Sequence, residues 1–130
     1  MDDDTQPRIP ARQHGVAHIF AAARYSIAGF RRLMRETAAR HELAAGVGAA
    51  ALLALVGASG VQIVGLLVLV GIVMAIEALN TAIEVLTDHV SPDWSEAARQ
   101  AKDLGSLAVG LMLLAIGLYV GWVLWGLAVA

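Results

Sequence analysis

The sequence predicts an all-α membrane protein in which an N-terminal amphipathic surface helix precedes three transmembrane helices. Of its 130 residues, 58% are hydrophobic, 13 more are glycine and only 15% are charged, and the mean hydropathy is +0.70. Soluble globular chains contain about 45–50% apolar residues with glycine included, and a soluble domain of this size hides too little of its chain to bury such a surplus. The composition therefore argues against intrinsic disorder and against an ordinary soluble enzyme.

The charged residues are segregated along the chain. Residues 1–12 are polar and acidic and contain two prolines, which predicts a flexible tail and not a secretory signal. Seven of the nine basic residues lie in the first 40 positions, and the other two are Arg99 and Lys102. The chain has no cysteine, so disulfides, thiolate nucleophiles and cysteine-based zinc sites are excluded. Residues 13–130 are expected to form one membrane domain.

The first predicted element is an amphipathic helix over about residues 14–38. Apolar residues recur every three or four positions, as expected for a helix with one apolar face: Val16, Phe20, Ala23, Ile27, Phe30 and Met34. Arg24, Arg31 and Arg35 flank this stripe, an arrangement typical of a helix that lies on a bilayer with its basic side chains near lipid phosphates. Packing of the same stripe against a protein partner is the alternative.

Three apolar runs follow, and they predict transmembrane helices over about residues 40–58, 61–88 and 100–128. The run 43–58 is short for a hydrocarbon core about 30 Å thick, so the first of these helices is expected to extend back through residues 40–42 to the interface. Ser59 and Gly60 predict the turn that ends it. The polar segment 87–100 predicts the connection between the second and third transmembrane helices.

The positions of lysine and arginine predict the orientation in the membrane. All nine basic residues lie in the N-terminal segment and in the 87–103 connection, whereas the turn near Ser59 and the end of the chain have none. The positive-inside rule therefore places the N-terminus and that connection in the cytoplasm, and the C-terminus on the outer side of a bacterial inner membrane. Both polar regions then face the compartment that holds ATP.

A line of polar residues runs down one face of the second predicted transmembrane helix. Glu77, Asn80, Glu84 and Asp88 fall within about 80° of one another at about 100° per residue, with Thr81 beside them. A carboxylate near the bilayer centre costs roughly 2.5–3.5 kcal/mol, which favours a functional reason for three of them. Oxygen ligands of this kind suit Mg²⁺, which also binds substrate phosphates. The alternative is a polar stripe that joins helices by hydrogen bonds.

Lys102 and Asp103 begin the third predicted transmembrane helix on the same side of the membrane. Lysine can hold a transferring phosphoryl group, and aspartate can orient a metal ion, an amine or a hydroxyl. A lysine at a helix end also serves as a membrane anchor, so this pair gains its meaning from the nearby acidic stripe. Glu36 is a further carboxylate at that level.

Glycine-rich nucleotide-binding motifs are absent from the sequence. Lys102 is not preceded by a G-x-x-x-x-G run, and the chain has no G-x-G-x-x-G. A bound nucleotide would therefore be held without a glycine cradle. No nucleic-acid partner is expected.

The segment 77–84, followed by Asp88 and by the run Ala101-Lys102-Asp103, resembles the prokaryotic diacylglycerol kinase family. It matches the family signature E-x-x-N-[ST]-A-[IV]-E-x-x-x-D with A-K-D further on, and the resemblance covers roughly residues 18–125. The resemblance implies a small membrane kinase that works as a homotrimer with active sites shared between subunits. It also implies transfer of the γ-phosphoryl group of MgATP to the hydroxyl of diacylglycerol or another lipid alcohol.

The resemblance implies roles for the acidic residues. Glu77 matches the general base that takes the proton of the lipid hydroxyl. Asn80 matches the residue that helps to position the phosphates and that hydroxyl. Glu36 and Glu84 match the carboxylates that hold Mg²⁺.

Nucleotide contacts are implied for residues on either side of the stripe. Lys102 matches the lysine that binds the γ-phosphate, Asp103 matches its polar neighbour, and Asp88 matches a nucleotide-side acid. Tyr25 and Ser26 match surface-helix positions near the nucleotide and the lipid head.

The chain departs from the family pattern earlier in the surface helix. Enterobacterial members carry arginine and lysine where this sequence has His18 and Ala21. Arg24 is the candidate substitute for those nucleotide contacts.

Other functions stay open at this point. Many Gram-positive family members phosphorylate undecaprenol, although Gly105-Ser106 after Lys102-Asp103 resembles the diacylglycerol branch. An ion-translocating proteolipid needs one acid near mid-bilayer, whereas here the acids extend to the cytoplasmic end beside Lys102. A purely structural helix bundle would leave the three acids of the stripe unexplained.

Overall fold

The computed structural model describes residues 16–129, which form four helices in sequence. They are α1 (Val16–Leu33), α2 (Thr37–Leu55), α3 (Gly60–Val90) and α4 (Glu96–Ala128). No strand occurs in this part of the chain, and α2, α3 and α4 are each long and apolar enough to cross a membrane. The all-α membrane fold is therefore confirmed. The tail predicted over residues 1–12 and the side chain of His18 lie outside what the structure describes.

The first helix ends earlier than its apolar stripe predicts. It stops at Leu33, whose side chain is buried, and the amides of Arg35 and Glu36 then donate to the carbonyls of Arg32 and Leu33 in a tight turn. Glu36 has an extended backbone and is the N-cap residue of α2, which begins at Thr37. This turn redirects the chain from α1 into the first membrane span, and it places Glu36 at a helix junction.

Local sequence explains the turn between α2 and α3. Gly57 has φ +84°, a left-handed conformation that glycine adopts without a Cβ clash. Ser59 then caps α3: its hydroxyl accepts from the backbone amide of Gln62, while the Gln62 side chain accepts from the backbone amide of Ser59. The predicted turn at residues 59–60 therefore begins slightly earlier in the chain.

Helix α3 ends beyond the second apolar run, and helix α4 begins before the third. They contain 31 and 33 residues, so each is about 46–50 Å long and exceeds a hydrocarbon core of about 30 Å. Helix α4 starts at Glu96, before the predicted limit near residue 100, because Ser95 caps it by accepting from the amide of Ala98. The 91–95 connection joins the C-terminal end of α3 to the N-terminal end of α4. The charged residues of the polar segment between the second and third apolar runs lie at these two helix ends or in the connection itself.

Helix α3 is the centre of the helix bundle, because α1, α2 and α4 all pack against it. The hydrophobic core lies toward the 56–59 turn and consists of Leu53, Leu66, Val70 and Val123. The Tyr119 hydroxyl in α4 donates to the carbonyl of Gln62 at 2.8 Å. The opposite halves of α2, α3 and α4 are left for the polar side chains described below.

Most of the apolar surface of the three spans is not covered by other parts of the chain that the structure describes. Helix α3 alone leaves Val64, Val68 and Leu79 at least half exposed. A membrane protein can leave apolar side chains facing the bilayer. These side chains are therefore available for contact with lipid tails or with other copies of the chain.

Glycine at position 46 sets the distance between α2 and α3. A Cβ there would lie 2.6 and 2.9 Å from the two methyl groups of Val70, whereas a Cβ at Gly48 would meet nothing within 4 Å. We expect Gly46→Ala to lower the free energy of unfolding by about 1–3 kcal/mol through overpacking. We expect Gly48→Ala to be neutral or slightly stabilising, since alanine favours helix over glycine by about 1 kcal/mol. Reversible unfolding in mixed micelles measures both, and equal effects would contradict the close packing.

Candidate functional site

A polar cavity of about 310 Å³ lies between the halves of the spans that are remote from the 56–59 turn. Side chains from the α1–α2 junction, α2, α3 and α4 line it: Glu36, Ala38, Glu42, Glu77, Asn80, Thr81, Glu84, Ser106 and Val109. Four of these nine residues are glutamates. An acidic cavity inside a bundle of apolar helices is the strongest candidate for a functional site in the described residues.

Helix α3 supplies the inner wall of the cavity. Among the residues whose side chains the structure describes, Glu77, Asn80 and Thr81 are the buried polar ones, with 5%, 8% and 7% of their surface exposed. The Asn80 side-chain amide donates to Glu84 at 3.2 Å, one turn along the same face. Glu77, Asn80 and Glu84 of the predicted stripe therefore point into the protein, whereas Asp88 at its end is exposed.

Helix α2 contributes a carboxylate that the sequence reasoning treated only as a polar helix end. Glu42 lies between His41 and the apolar run that begins at Leu43, and it lines the same cavity as Glu77 and Glu84. Its position in the sequence could have indicated this role. Glu42 follows Glu36 by less than two helical turns and lies within α2, which begins at Thr37. Ser106, read from the sequence as part of the apolar third run, lines the same cavity from α4.

Two side-chain atoms in the described residues are buried without any hydrogen-bond partner, and both belong to the cavity. They are Oε2 of Glu42 and Oδ1 of Asn80. An acceptor oxygen that is removed from water without a donor costs about 1–3 kcal/mol. Both residues line the cavity, so the cost of these unpartnered acceptors falls on the candidate site.

Three charged residues lie between the lining of the cavity and the 91–95 connection, and they are called its rim: Asp88, Lys102 and Asp103. The Lys102 ammonium lies 2.5 Å from a carboxylate oxygen of Asp88. Arg99 bridges Glu96 at 2.6 Å and Asp103 at 2.5 Å. These pairs are exposed, and exposed ion pairs contribute only about 0–1 kcal/mol. They are therefore held loosely enough to exchange partners with a bound anion.

The junction of α1 and α2 orients Glu36. The Arg32 guanidinium in the last turn of α1 donates to its carboxylate, four residues further on. Leu33, next to Arg32, is buried against α3 beside Thr81 and Val85. The end of α1 thus fixes the position of Glu36 relative to the α3 stripe.

The structure brings some of the predicted site residues together and leaves others apart. Glu36, Glu77, Asn80 and Glu84 line one cavity. Asp88, Lys102 and Asp103 lie on its rim and not in its walls. Tyr25 and Ser26 are exposed on α1 and do not line this cavity.

An apolar groove of about 530 Å³ adjoins the polar cavity between α3 and α4. Ile76, Leu79 and Leu104 are among its walls, and Asn80 lines both spaces. One site therefore offers carboxylates and a lysine next to an aliphatic surface. This combination suits a ligand with a polar head and an apolar chain.

No group of three histidine, aspartate or glutamate side chains within residues 16–129 is close enough to form a metal cage by itself. A metal ion at the cavity would therefore need ligands from water or from a second bound molecule in addition to one or two carboxylates.

Comparisons with known proteins give one consistent result. A family model described as prokaryotic diacylglycerol kinase matches residues 24–124. A diacylglycerol kinase from Sinorhizobium is 46% identical over 112 residues, which cover 86% of this chain and 82% of the relative. A diacylglycerol kinase from Haemophilus influenzae is 32% identical over 85% of this chain and 94% of the relative. One from Escherichia coli K12 is 39% identical over 73% of this chain and 79% of the relative.

The unpartnered oxygen of Glu42 predicts a stability gain when its carboxylate is removed. We expect Glu42→Leu to leave the free energy of unfolding unchanged or to raise it by about 1–3 kcal/mol, because the buried acceptor disappears. The control is Val47→Leu, at an exposed apolar position of the same helix, where no change is expected. Unfolding in mixed micelles measures both variants. A loss of more than about 1 kcal/mol in Glu42→Leu would show that Glu42 has a structural partner.

Proposed function

This chain belongs to the prokaryotic diacylglycerol kinase family, and from its cavity we propose how it transfers the γ-phosphoryl group of ATP to a lipid hydroxyl. As a diacylglycerol kinase it is a phosphotransferase whose acceptor is diacylglycerol and whose product is phosphatidic acid. The observation that carries the proposal is the acidic cavity with Lys102 on its rim and an apolar groove beside it. These features provide, in one place, the partners of a phosphate chain and of a lipid.

Mg²⁺ fits the donor set of the cavity. It binds through one or two carboxylates and completes its coordination with water and substrate phosphates, which agrees with the absence of a three-ligand cage in residues 16–129. Glu36 and Glu84 are the proposed ligands, since both line the cavity from opposite sides. When bound, the ion supplies positive charge that neutralises the phosphates during transfer.

Glu77 is proposed as the general base. It is the stripe carboxylate furthest from the rim: Asp88 lies eleven positions further along α3, about 16 Å along the helix axis. The hydroxyl of a lipid whose acyl chains remain in the bilayer reaches this depth more readily than the nucleotide does. The hydroxyl oxygen attacks the γ-phosphorus, the bond to the β–γ bridging oxygen breaks, ADP leaves, and the Glu77 carboxylate takes the hydroxyl proton.

Lys102 is proposed to bind the γ-phosphate. Its ammonium forms an exposed ion pair with the Asp88 carboxylate. Such a pair is weak, so a more highly charged phosphate can replace Asp88 as the partner of Lys102. Asp103 lies next to it and is oriented by Arg99 at 2.5 Å. Asp88 then faces the nucleotide side of the site, and Asn80 positions the reacting groups from the cavity wall.

Tyr25 and Ser26 are proposed to contact the nucleotide and the lipid head from α1. Both are exposed within one protomer, so a bound substrate or another subunit would complete their surroundings. The exposed Arg24 on the same helix provides a cation that could replace the basic residues absent at positions 18 and 21.

We infer that the protein is a homotrimer in the bacterial inner membrane, with its N-terminus in the cytoplasm and its C-terminus outside. The positive-inside rule supports this orientation, because the basic residues lie in the N-terminal segment and beside the 91–95 connection: Arg31, Arg35, Arg40, Arg99 and Lys102. The family resemblance supports the trimer, and the uncovered apolar surface of the three spans leaves room for contacts between subunits.

A lipid kinase assay of the purified protein in mixed micelles tests the activity directly. With labelled ATP and diacylglycerol we expect labelled phosphatidic acid in the presence of Mg²⁺ and none after chelation. Undecaprenol is assayed in parallel. Because the relatives are diacylglycerol kinases, we expect undecaprenol to be phosphorylated more slowly than diacylglycerol. Phosphorylation of undecaprenol alone would assign the other substrate branch. Ion flux in vesicles without any ATP consumption would overturn the kinase proposal.

Substitution of Glu77 tests its role as base. We expect Glu77→Gln to lower turnover by roughly 10²- to 10⁴-fold, the usual contribution of a positioned general base. The amide keeps the shape of the side chain, so the trimer measured by sedimentation in detergent should be unchanged. Asp93→Asn is the control, because it makes the same change from carboxylate to amide at an exposed residue of the 91–95 connection that does not line the cavity. Retained turnover in Glu77→Gln would remove Glu77 as the base.

A further inference from the structure

Helices α3 and α4 approach each other most closely in the site where Gly105 faces Asn80. Gly105 is buried, and a Cβ built on it would overlap the Asn80 side chain, with Oδ1 as the nearest atom. The backbone of Gly105 is not in the left-handed region that requires glycine. Glycine at position 105 is therefore required by the close approach of the two helices and not by its backbone conformation.

The contact with Gly105 determines which way the Asn80 amide points. Its oxygen lies against Gly105 and is buried without a hydrogen-bond partner, while its nitrogen donates to Glu84 at 3.2 Å. A methyl group at position 105 would occupy the place of the oxygen. The side chain would then have to rotate, and the hydrogen bond to Glu84 would break.

We propose that Gly105 is a positioning residue for phosphoryl transfer, because it holds the Asn80 amide in the orientation that fixes the Glu84 carboxylate. The chain of contacts runs from the α4 backbone through Asn80 to Glu84. The inference rests on the proposed function of Glu84 as a ligand of Mg²⁺. A partner that orients a metal ligand typically affects metal affinity or activity by 10- to 100-fold when it is lost.

The matched control lies on the same helix. Gly110 is exposed, and a Cβ there would meet nothing within 4 Å. Gly105→Ala and Gly110→Ala therefore make the same chemical change and the same change in helix propensity, but only the first displaces Asn80.

The experiment measures metal binding as well as activity. Mn²⁺ binding to the trimer in the presence of a non-hydrolysable ATP analogue is followed by electron paramagnetic resonance, and turnover is measured over a range of Mg²⁺ concentrations. We expect Gly105→Ala to weaken Mn²⁺ binding and to raise the Mg²⁺ concentration for half-maximal turnover, each by roughly 10-fold or more. Gly110→Ala should behave as wild type in both measurements.

Glu84→Gln, measured in parallel, separates this inference from the proposed function. Unchanged Mn²⁺ binding in Glu84→Gln would contradict the proposed metal site itself. Weakened binding in Glu84→Gln, together with wild-type binding and turnover in Gly105→Ala, would overturn only the role of Gly105.

A stability measurement covers the case in which Gly105→Ala folds poorly. Truncation of Asn80 creates room for a methyl group, so Gly105→Ala should destabilise the protein in the wild-type background and much less in the Asn80→Ala background. If the double variant fails to fold as the single variant does, the obstacle is not Asn80 and the proposal is overturned.

Discussion

Carboxylates within apolar helices impose the constraint on which this structure depends. A charged side chain that faces acyl tails costs several kcal/mol, so the acids of α2 and α3 must converge on a space enclosed by protein. Glu42 and Glu77 meet this requirement across the polar cavity, and Glu36 closes it from the α1–α2 junction. The cavity is thus the arrangement in which a membrane chain can hold several acids, and their shared demand for a cation is what makes the site chemically useful.

The two halves of the helix bundle have separate tasks. Toward the 56–59 turn the helices pack through Leu53, Leu66 and Val123, and the Tyr119 hydroxyl joins α4 to the backbone of α3. Toward the 91–95 connection the same helices separate enough to form the cavity and the apolar groove. Because the apolar half supplies the packing, the half with the cavity can keep unpartnered acceptors that would otherwise lower stability.

Close approach of backbones is the means by which so short a chain places its functional groups. Gly46 lets α2 pack against Val70, and Gly105 lets α4 pack against Asn80. Small residues at helix contacts are typical of membrane proteins, where packing and hydrogen bonds replace the hydrophobic effect between helices. At Gly105 this packing acts on a polar side chain of the site, so helix association and the geometry of the cavity are linked there.

The sequence by itself determined the membrane fold, the four helices and the face of α3 that carries Glu77, Asn80 and Glu84, because hydropathy and helical periodicity are local properties. Its signature also indicated the family. Only the tertiary structure decided that Glu42 joins the acids and that Glu36 lies in a turn between two helices. Periodicity within one helix fixes which residues share a face, but the side chains that meet across helices depend on where the chain turns and how closely the backbones approach.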